Sequence, residues 1–327
     1  MSVYIGVDVG GTNIVCGAVD QQEQLIYKKK VSTEAKLGSA HVLKKIANLV
    51  FQTADEAGIP RQDIRAAGLG IPGFVNPKAG IVAFASNLNW SDVPAGSLLE
   101  QFIGVPVYID NDVRMYVYGE AAGGAGRGYD HVLGVTLGTG LAAAVVNKRQ
   151  LYYGSGHRAG ELGHIPIHGV HYKCNCGKTG CLETVASATG IARQAKTRIE
   201  NGQNSILKEW FPDGRIEEIT AADVSRAYDT GDVLAREVFH TTGTLLGEGL
   251  SVAVTLYSPE LLVIGGGAAM AGERLFEPMR ETMKRSLLDM YWDHLEIRQA
   301  ALLDDAGVIG SALYAKQRHE GDPNSGE

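Results

Sequence analysis

The sequence predicts an α/β protein of two related domains, and three observations carry that prediction. Val3-Tyr4-Ile5-Gly6-Val7-Asp8-Val9 alternates as a strand, turns at Gly10-Gly11-Thr12-Asn13, and resumes as a strand over 14–19. The same unit returns 128 residues later, where 131–137 leads into Gly138-Thr139-Gly140 and 141–146 runs on. A chain of 327 residues is also long enough to give each domain its own core.

A dinucleotide-binding fold would need a helix directly after the glycines. Here the two-residue period continues, so each glycine turn joins two strands of a hairpin. The N–H groups of such a turn can cradle a phosphate. Asp8, leading into the first turn, is placed to orient a hydrated Mg²⁺ on it. A third glycine site, Gly265-Gly266-Gly267, ends the apolar stretch 261–264, where backbone can approach a flat ligand closely.

In chain order, Val42, Leu43, Ile46, Leu49, Val50 and Ala54 mark an amphipathic helix that stops at Gly58-Ile59-Pro60. A strand over 66–70 ends in the turn Ile71-Pro72-Gly73. Asn87-Leu88-Asn89-Trp90 offers amides to hydroxyl groups. Val105-Pro106-Val107-Tyr108-Ile109 reads as a strand that delivers Asp110-Asn111-Asp112 into a helix through Tyr118. Three Asx residues there suit an N-cap, and a carboxylate at a strand end also suits catalysis. Beyond the second hairpin, helices are expected over 183–201, over 221–230 with Thr220 as cap, and over 233–254. Residues 202–219 read as a polar surface connection. The region 287–303 holds an exposed segment and a strand, Asp304-Asp305-Ala306-Gly307 opens a last helix through Gln317, and 318–327 reads as a disordered polar tail.

Three of the four cysteines, Cys174, Cys176 and Cys181, fall within eight residues, ten residues after His164. Three thiolates and an imidazole complete a closed tetrahedral set, the signature of structural zinc. Cys-x-Cys spacing suits disulfide geometry poorly, and nothing points to an oxidising compartment. His168 and His171 lie closer in sequence, but His164 as ligand would also fix Glu161 and Glu183, which bracket the cluster. Cys16 alternates with apolar neighbours and reads as a small core residue.

A net charge of −7 and no basic stripe argue against a nucleic-acid surface; Lys28-Lys29-Lys30 reads as a solvated strand end. No apolar run reaches membrane-spanning length, and no leader precedes the first strand, so a soluble cytoplasmic protein is expected.

Asp8-Val9-Gly10-Gly11-Thr12, Ile71-Pro72-Gly73, Asn87-Leu88, Asn111-Asp112, Leu137-Gly138-Thr139-Gly140, Glu161-Leu162-Gly163-His164 and the cysteine motif ending at Glu183 resemble, in that order, the ROK family (repressors, open reading frames and kinases). The likeness runs from about residue 3 to residue 317 and is nearest to the bacterial ROK glucokinases. It implies an actin-like, RNase H-type ATPase fold with two α/β domains and a cleft between them. It also implies ATP with Mg²⁺, structural Zn²⁺ and a place in carbohydrate metabolism, phosphorylating glucose to glucose 6-phosphate. Fructose, allose, mannose and N-acetylmannosamine are alternative substrates.

The resemblance further implies that Asp112 is the general base. Gly73, Asn87, Asn111, Asp112, Glu161, His164 and Glu183 would line the sugar pocket, His164 meeting sugar with one ring nitrogen and zinc with the other. Asp8, Gly10, Gly11, Thr12, Asn13, Gly138 and Thr139 would hold phosphates and their Mg²⁺, with Gly265, Gly266 and Gly267 beside the adenosine. The expected division is 1–118 with 304–317 as a small domain and 119–303 as a large one carrying the zinc loop. A homodimer or homotetramer is expected. Three departures stand out: Val15 where relatives often have a basic residue, Leu141-Ala142-Ala143-Ala144 in place of a glycine run, and Val113-Arg114 after the base. Arg114 would alter which sugar fits or pair with a neighbouring carboxylate. The rival readings are a ROK repressor, for which a first strand at Val3 leaves no room for a helix-turn-helix, and a non-catalytic zinc-stabilised sugar sensor.

Overall fold

The computed structural model describes residues 2–212 and 214–321, and the chain divides into two compact units. Unit 1 takes the chain up to Asp130, then Val146–Ala159, then the chain from Ala301; unit 2 takes His131–Val145 and Gly160–Ala300.

In unit 1, β1 (Val3–Val9), β2 (Asn13–Asp20) and β3 (Leu25–Ser32) pair antiparallel through short turns. β4 (Ile64–Ile71) joins β1 in parallel. β5 (Phe74–Asn76), β6 (Ile81–Ala85) and β7 (Trp90–Val93) form a separate small sheet, and β8 (Val107–Asn111) then pairs in parallel with β4. The main sheet therefore runs β3-β2-β1-β4-β8. Apolar residues at helical spacing place α1 (Ser39–Glu56) over one face, where Val42, Leu43, Ile46 and Val50 join the core of Val7, Ile14 and Leu69. α2 (Ala95–Ile103) and α3 (Asp112–Gly123) complete the layer order, and α11 (Ala306–Glu320) covers the other face.

α11 sits directly on strand backbone. Gly6 of β1 and Gly68 of β4 are register partners. A Cβ on Gly6 would stand 1.8 Å from the Val308 carbonyl oxygen, and one on Gly68 1.9 Å from that of Ser311. Only glycine allows that approach.

Unit 2 repeats the plan. β9 (His131–Leu137), β10 (Leu141–Asn147) and β11 (Gln150–Leu151) precede β12 (Leu261–Gly265) and β13 (Glu296–Gln299), in the order β11-β10-β9-β12-β13, with β12 parallel to β9 and β13. Its helices are α4 (Glu183–Ala186), α5 (Ala188–Glu200), α6 (Leu207–Trp210), α7 (Ala221–Asp229), α8 (Val233–Tyr257), α9 (Glu273–Ser286) and α10 (Asp289–Trp292). Leu182, Val185, Leu246, Leu250, Leu262 and Met279 centre its core.

Several expectations need correction. The single helix over 183–201 is two, because Ser187 adopts extended backbone, donates to the Glu183 carbonyl at 2.7 Å and caps α5 through Gly190 N–H. The 202–219 connection is not all surface, since Leu207 of α6 is fully buried. α3 continues past Tyr118 to Gly123, so residues 119–130 stay in unit 1. The last helix runs through Glu320, which accepts from Tyr4 Oη at 3.2 Å, so 318–320 are ordered helix. The rest of the expected tail, 322–327, lies outside the described residues. Among the described residues no helix is long and apolar enough to cross a membrane.

α3 is held in unit 1 by close packing on α11, where a Cβ on Gly119 would stand 2.2 Å from the Ala306 carbonyl oxygen, and by Glu120. Buried to 1% exposure, its carboxylate accepts the N–H groups of Ala125, Ala301 and Leu302 at 3.0, 3.0 and 2.7 Å, clamping the point where the chain re-enters the unit. Glu120→Ala strands three N–H groups, and urea denaturation should show a loss of about 3–5 kcal/mol. A loss below about 1 kcal/mol would show that water replaces the clamp freely.

Candidate active site

The parallel register sets the floor of the unit 1 site. Asp8 pairs with Gly70, and Gly70 with Asp110, so the three carboxyl ends of β1, β4 and β8 are level. Beyond Asp8 the chain turns through Gly10-Gly11-Thr12, with Gly10 N–H closing on Asn13 O at 2.8 Å. Thr33 steadies the turn from outside, its N–H on Thr12 O and its hydroxyl on Gly10 O. Gly11 and Thr12 are exposed, and their N–H groups meet no acceptor among the described residues. Asn87 lies beside Gly11, while its neighbours Leu88 and Trp90 are core at 1% and 2% exposure. Trp90 is thus a packing residue, and of that stretch Asn87 reaches the site.

Asp112 opens α3. Its carboxylate takes the Val113 N–H and the Asn111 amide, both at 2.9 Å. Asn111 is the N-cap: Oδ1 accepts from Val113 and Arg114 N–H, while Nδ2 also donates to Gly73 O at 3.1 Å. Gly73 therefore acts on the site through its carbonyl. Burial raises Asp112 above the ordinary carboxylate range, against the pull of the Val113 N–H and the Asn111 amide. Asp8 is raised as well, from 3.8 to about 7, by burial first and then by the Asp112 charge. Its carboxylate points at Gly307 of α11, where a Cβ would come within 2.7 Å.

Beneath Asp112 lies a network that sequence reasoning left open. Arg114, 7% exposed, pairs with fully buried Asp110 at 2.9 Å and donates to the His157 carbonyl. The other Asp110 oxygen accepts Tyr153 Oη at 2.7 Å, and Tyr153 meets Tyr314 at 3.1 Å. Of the two options open for Arg114, the structure shows the carboxylate pair. It also explains why Val146–Ala159 returns to unit 1.

In unit 2 the segment carrying Glu161 and His164 is pressed onto β10. Ala143 N–H donates to Gly160 O at 3.0 Å, and a Cβ on Gly163 would sit 2.1 Å from Leu141 O. Glycine at 163 is a close-approach requirement. His164 Nδ1 lies 3.7 Å from Cys174 Sγ, and Cys176 Sγ lies 3.6 Å from Cys181 Sγ. All four ligand atoms fall within 4.8 Å of one another. Zn–S bonds of ~2.3 Å give tetrahedral edges of roughly 3.8 Å, so the residues fit the ion. As free thiols Cys174 and Cys181 are raised by burial, Cys174 to about 12, so a cation is what would let the set carry its charge. His164 Nε2 stays on the Glu161 side, 3.7 Å from that carboxylate.

Glu183 links the His164–cysteine cluster to the second glycine turn. One oxygen accepts Leu141 N–H at 3.1 Å and the other lies 3.4 Å from Cys174 Sγ. The start of α5 holds the same turn, with Ala188 N–H on Gly138 O at 2.9 Å and the Thr189 hydroxyl on Thr139 O at 2.7 Å. Gly265 pairs with Thr136, just before that turn, which brings the third glycine run to the same strand ends. The structure therefore gathers the sequence candidates into two clusters, one per unit. Tyr153 and Thr189 are the additions, and no local signal marks either; the Arg114–Asp110 pair realises one of the two expectations for Arg114.

Two five-stranded sheets, each a glycine-turn hairpin followed by parallel strands, define an actin-like, RNase H-type ATPase fold. The chain belongs to the ROK family, whose family model matches residues 4–318. It is 36% identical to a glucokinase of Halalkalibacterium halodurans, over 96% of this chain and 95% of that one. A crystal structure of a ROK family glucokinase from Streptomyces griseus, in complex with glucose and AMPPNP, is 32% identical, with a TM-score of 0.80 over 97% of this chain and all of that one. A xylose repressor of Caldicellulosiruptor bescii is 28% identical over 94% of this chain and 76% of its own length.

Two outcomes follow from the two clusters. Asp8 binds its proton more tightly folded than unfolded, so its stabilising contribution is complete below about pH 4 and is lost as pH rises through about 7. Metal- and nucleotide-free Asp8→Asn should gain on the parent between pH 5 and pH 8, by on the order of 2–4 kcal/mol in urea unfolding; a pH-independent difference would contradict it. Elemental analysis should find one zinc per chain, and Cys176→Ser should lose most of it together with thermal stability. Protein that purifies metal-free with full stability would remove zinc from the description.

Proposed function

We propose that the protein is an ATP-dependent hexose kinase that passes the γ-phosphoryl group of ATP to a hydroxyl of glucose, giving glucose 6-phosphate. One observation carries the reading: a carboxylate made more basic by burial, Asp112, shares unit 1 with a glycine turn whose N–H groups are open to an anion. The glucokinase relatives and the glucose–AMPPNP complex of a structural neighbour support it.

Asp112 accepts the proton of the attacking hydroxyl, a contribution of roughly 10²–10⁴-fold for a positioned base. Asn111 and Gly73 hold that carboxylate in place, and Asn87 meets a further hydroxyl beside the turn. From unit 2 we assign Glu161, Nε2 of His164, and Glu183 to sugar hydroxyls. The Leu141 bond of Glu183 also aligns the second turn. Gly10, Gly11, Thr12, Asn13, Gly138 and Thr139 receive the phosphates, and Gly265, Gly266 and Gly267 the adenosine. Asp8 would hold the Mg²⁺, which neutralises phosphate charge when bound. Zinc, with four protein ligands, has no open position for water and serves as a staple. Self-association as a dimer or tetramer is supported by apolar side chains that α8 leaves exposed, among them Val252 at 52% and Leu256 at 73%.

Asp112→Asn should lower kcat at least about 100-fold and leave glucose affinity within a few-fold, measured by a coupled assay and by calorimetry. Near-normal turnover would sink the assignment. Comparing kcat/KM for glucose, fructose, allose, mannose and N-acetylmannosamine fixes the substrate. Sugar binding without any ATP turnover would favour the sensor or repressor reading instead.

A further inference from the structure

We propose that Lys30 is a phosphate-binding residue of the nucleotide site and supplies, from β3, the positive charge that Val15 does not supply from β2. The inference rests on the kinase reading and adds a residue that the motif positions do not contain.

The β2–β3 register pairs Val15 with Lys30 and Gly17 with Lys28. Cross-strand partners lie about 5 Å apart and project to one face, so both lysines share the face of Val15. That face borders a cleft of about 570 Å³ lined by the 10–13 turn, Asp8, Val15, Lys28, Lys30 and the Asp304-Asp305 pair. Lys29, between the two lysines, points the other way and pairs with Glu56. The basic run is therefore two residues on the cleft and one away from it.

The two cleft lysines are not equivalent. Lys28 is held by Asp305 at 2.5 Å. Lys30 is exposed and has no carboxylate within 4.0 Å among the described residues. The same cleft presents the open N–H groups of Gly11 and Thr12. Two backbone donors and one uncommitted ammonium, converging on a cleft of that size, match a phosphate group. A lysine contributes there as a mobile point charge, and its four-carbon stem spans the offset of one strand.

The test is Lys30→Met, with Lys29→Met as the control on the opposite face. Lys30→Met should raise KM for ATP roughly five- to tenfold, the size of one charge-assisted contact at a solvent-facing site, and leave KM for the sugar within about twofold. Lys30→Arg should behave like the parent, and Val15→Lys in the Lys30→Met background should restore KM for ATP. That rescue is a readout that a merely structural lysine would not give. Unchanged KM for ATP in Lys30→Met, or an equal rise in Lys29→Met, would overturn the proposal. Calorimetry of Mg²⁺–ATP binding without sugar separates the two readings. A parent that binds ATP but phosphorylates no hexose would sink the kinase reading and leave this one standing, provided Lys30→Met binds ATP more weakly. Equal affinity in parent and Lys30→Met would sink this one alone.

Discussion

The seating of α11 on the Gly6–Gly68 pair is the contact on which the rest of unit 1 depends. With no side chain between helix and sheet, the first turn of α11 arrives beside the end of β1, and Asp8 is enclosed against Gly307. That enclosure, and the Asp112 charge beyond it, is what keeps the Asp8 proton bound well above the usual range. A carboxylate in this state is destabilising near neutrality by itself and becomes favourable only when a cation or another positive group joins it. The turn after it is consistent with that demand. The fold is thus strained electrostatically where the chemistry is assigned, a pattern common to functional sites.

In unit 2 the corresponding constraint is the cysteine loop. His164 Nδ1 faces the sulfurs while Nε2 stays on the side of Glu161, so one imidazole belongs to the cluster and to the polar surface beside it. Glu183 does the same from the other end, through Cys174 and Leu141 N–H. A metal ion closed in by these four side chains would fix orientation, which is the usual work of groups around a metal seen in reverse.

Much of this was legible in the sequence because it is local. Period-two alternation around glycines gave both hairpins, and cysteine spacing gave the cluster of three thiols with the histidine that the structure places there. What escaped depends on distant partners. For Arg114 the carboxylate pair was one of two expectations, but its burial was not visible, because arginine is seldom buried and the Tyr153 hydroxyl and His157 carbonyl that complete the network come from far along the chain. The small β5–β7 sheet has strands of three to five residues, too short for alternation to register. The break at Ser187 comes from one hydroxyl competing for a backbone carbonyl inside an otherwise helical pattern. The return of Val146–Ala159 to unit 1 has no local signal at all.

The alternation of the lysine run carries one more consequence. Which face each lysine occupies is set by parity, and parity is set by the four residues, 21–24, that connect β2 to β3 together with a bulge between Ala18 and Val19, where Ala18 meets Tyr27, Val19 meets Leu25 and Ile26 is left over. Counted without that extra residue, Lys29 would stand opposite Val15 and its two neighbours would turn away from the glycine loop. The bulge is thus the counting device of this edge strand: one leftover residue decides which lysines the loop meets.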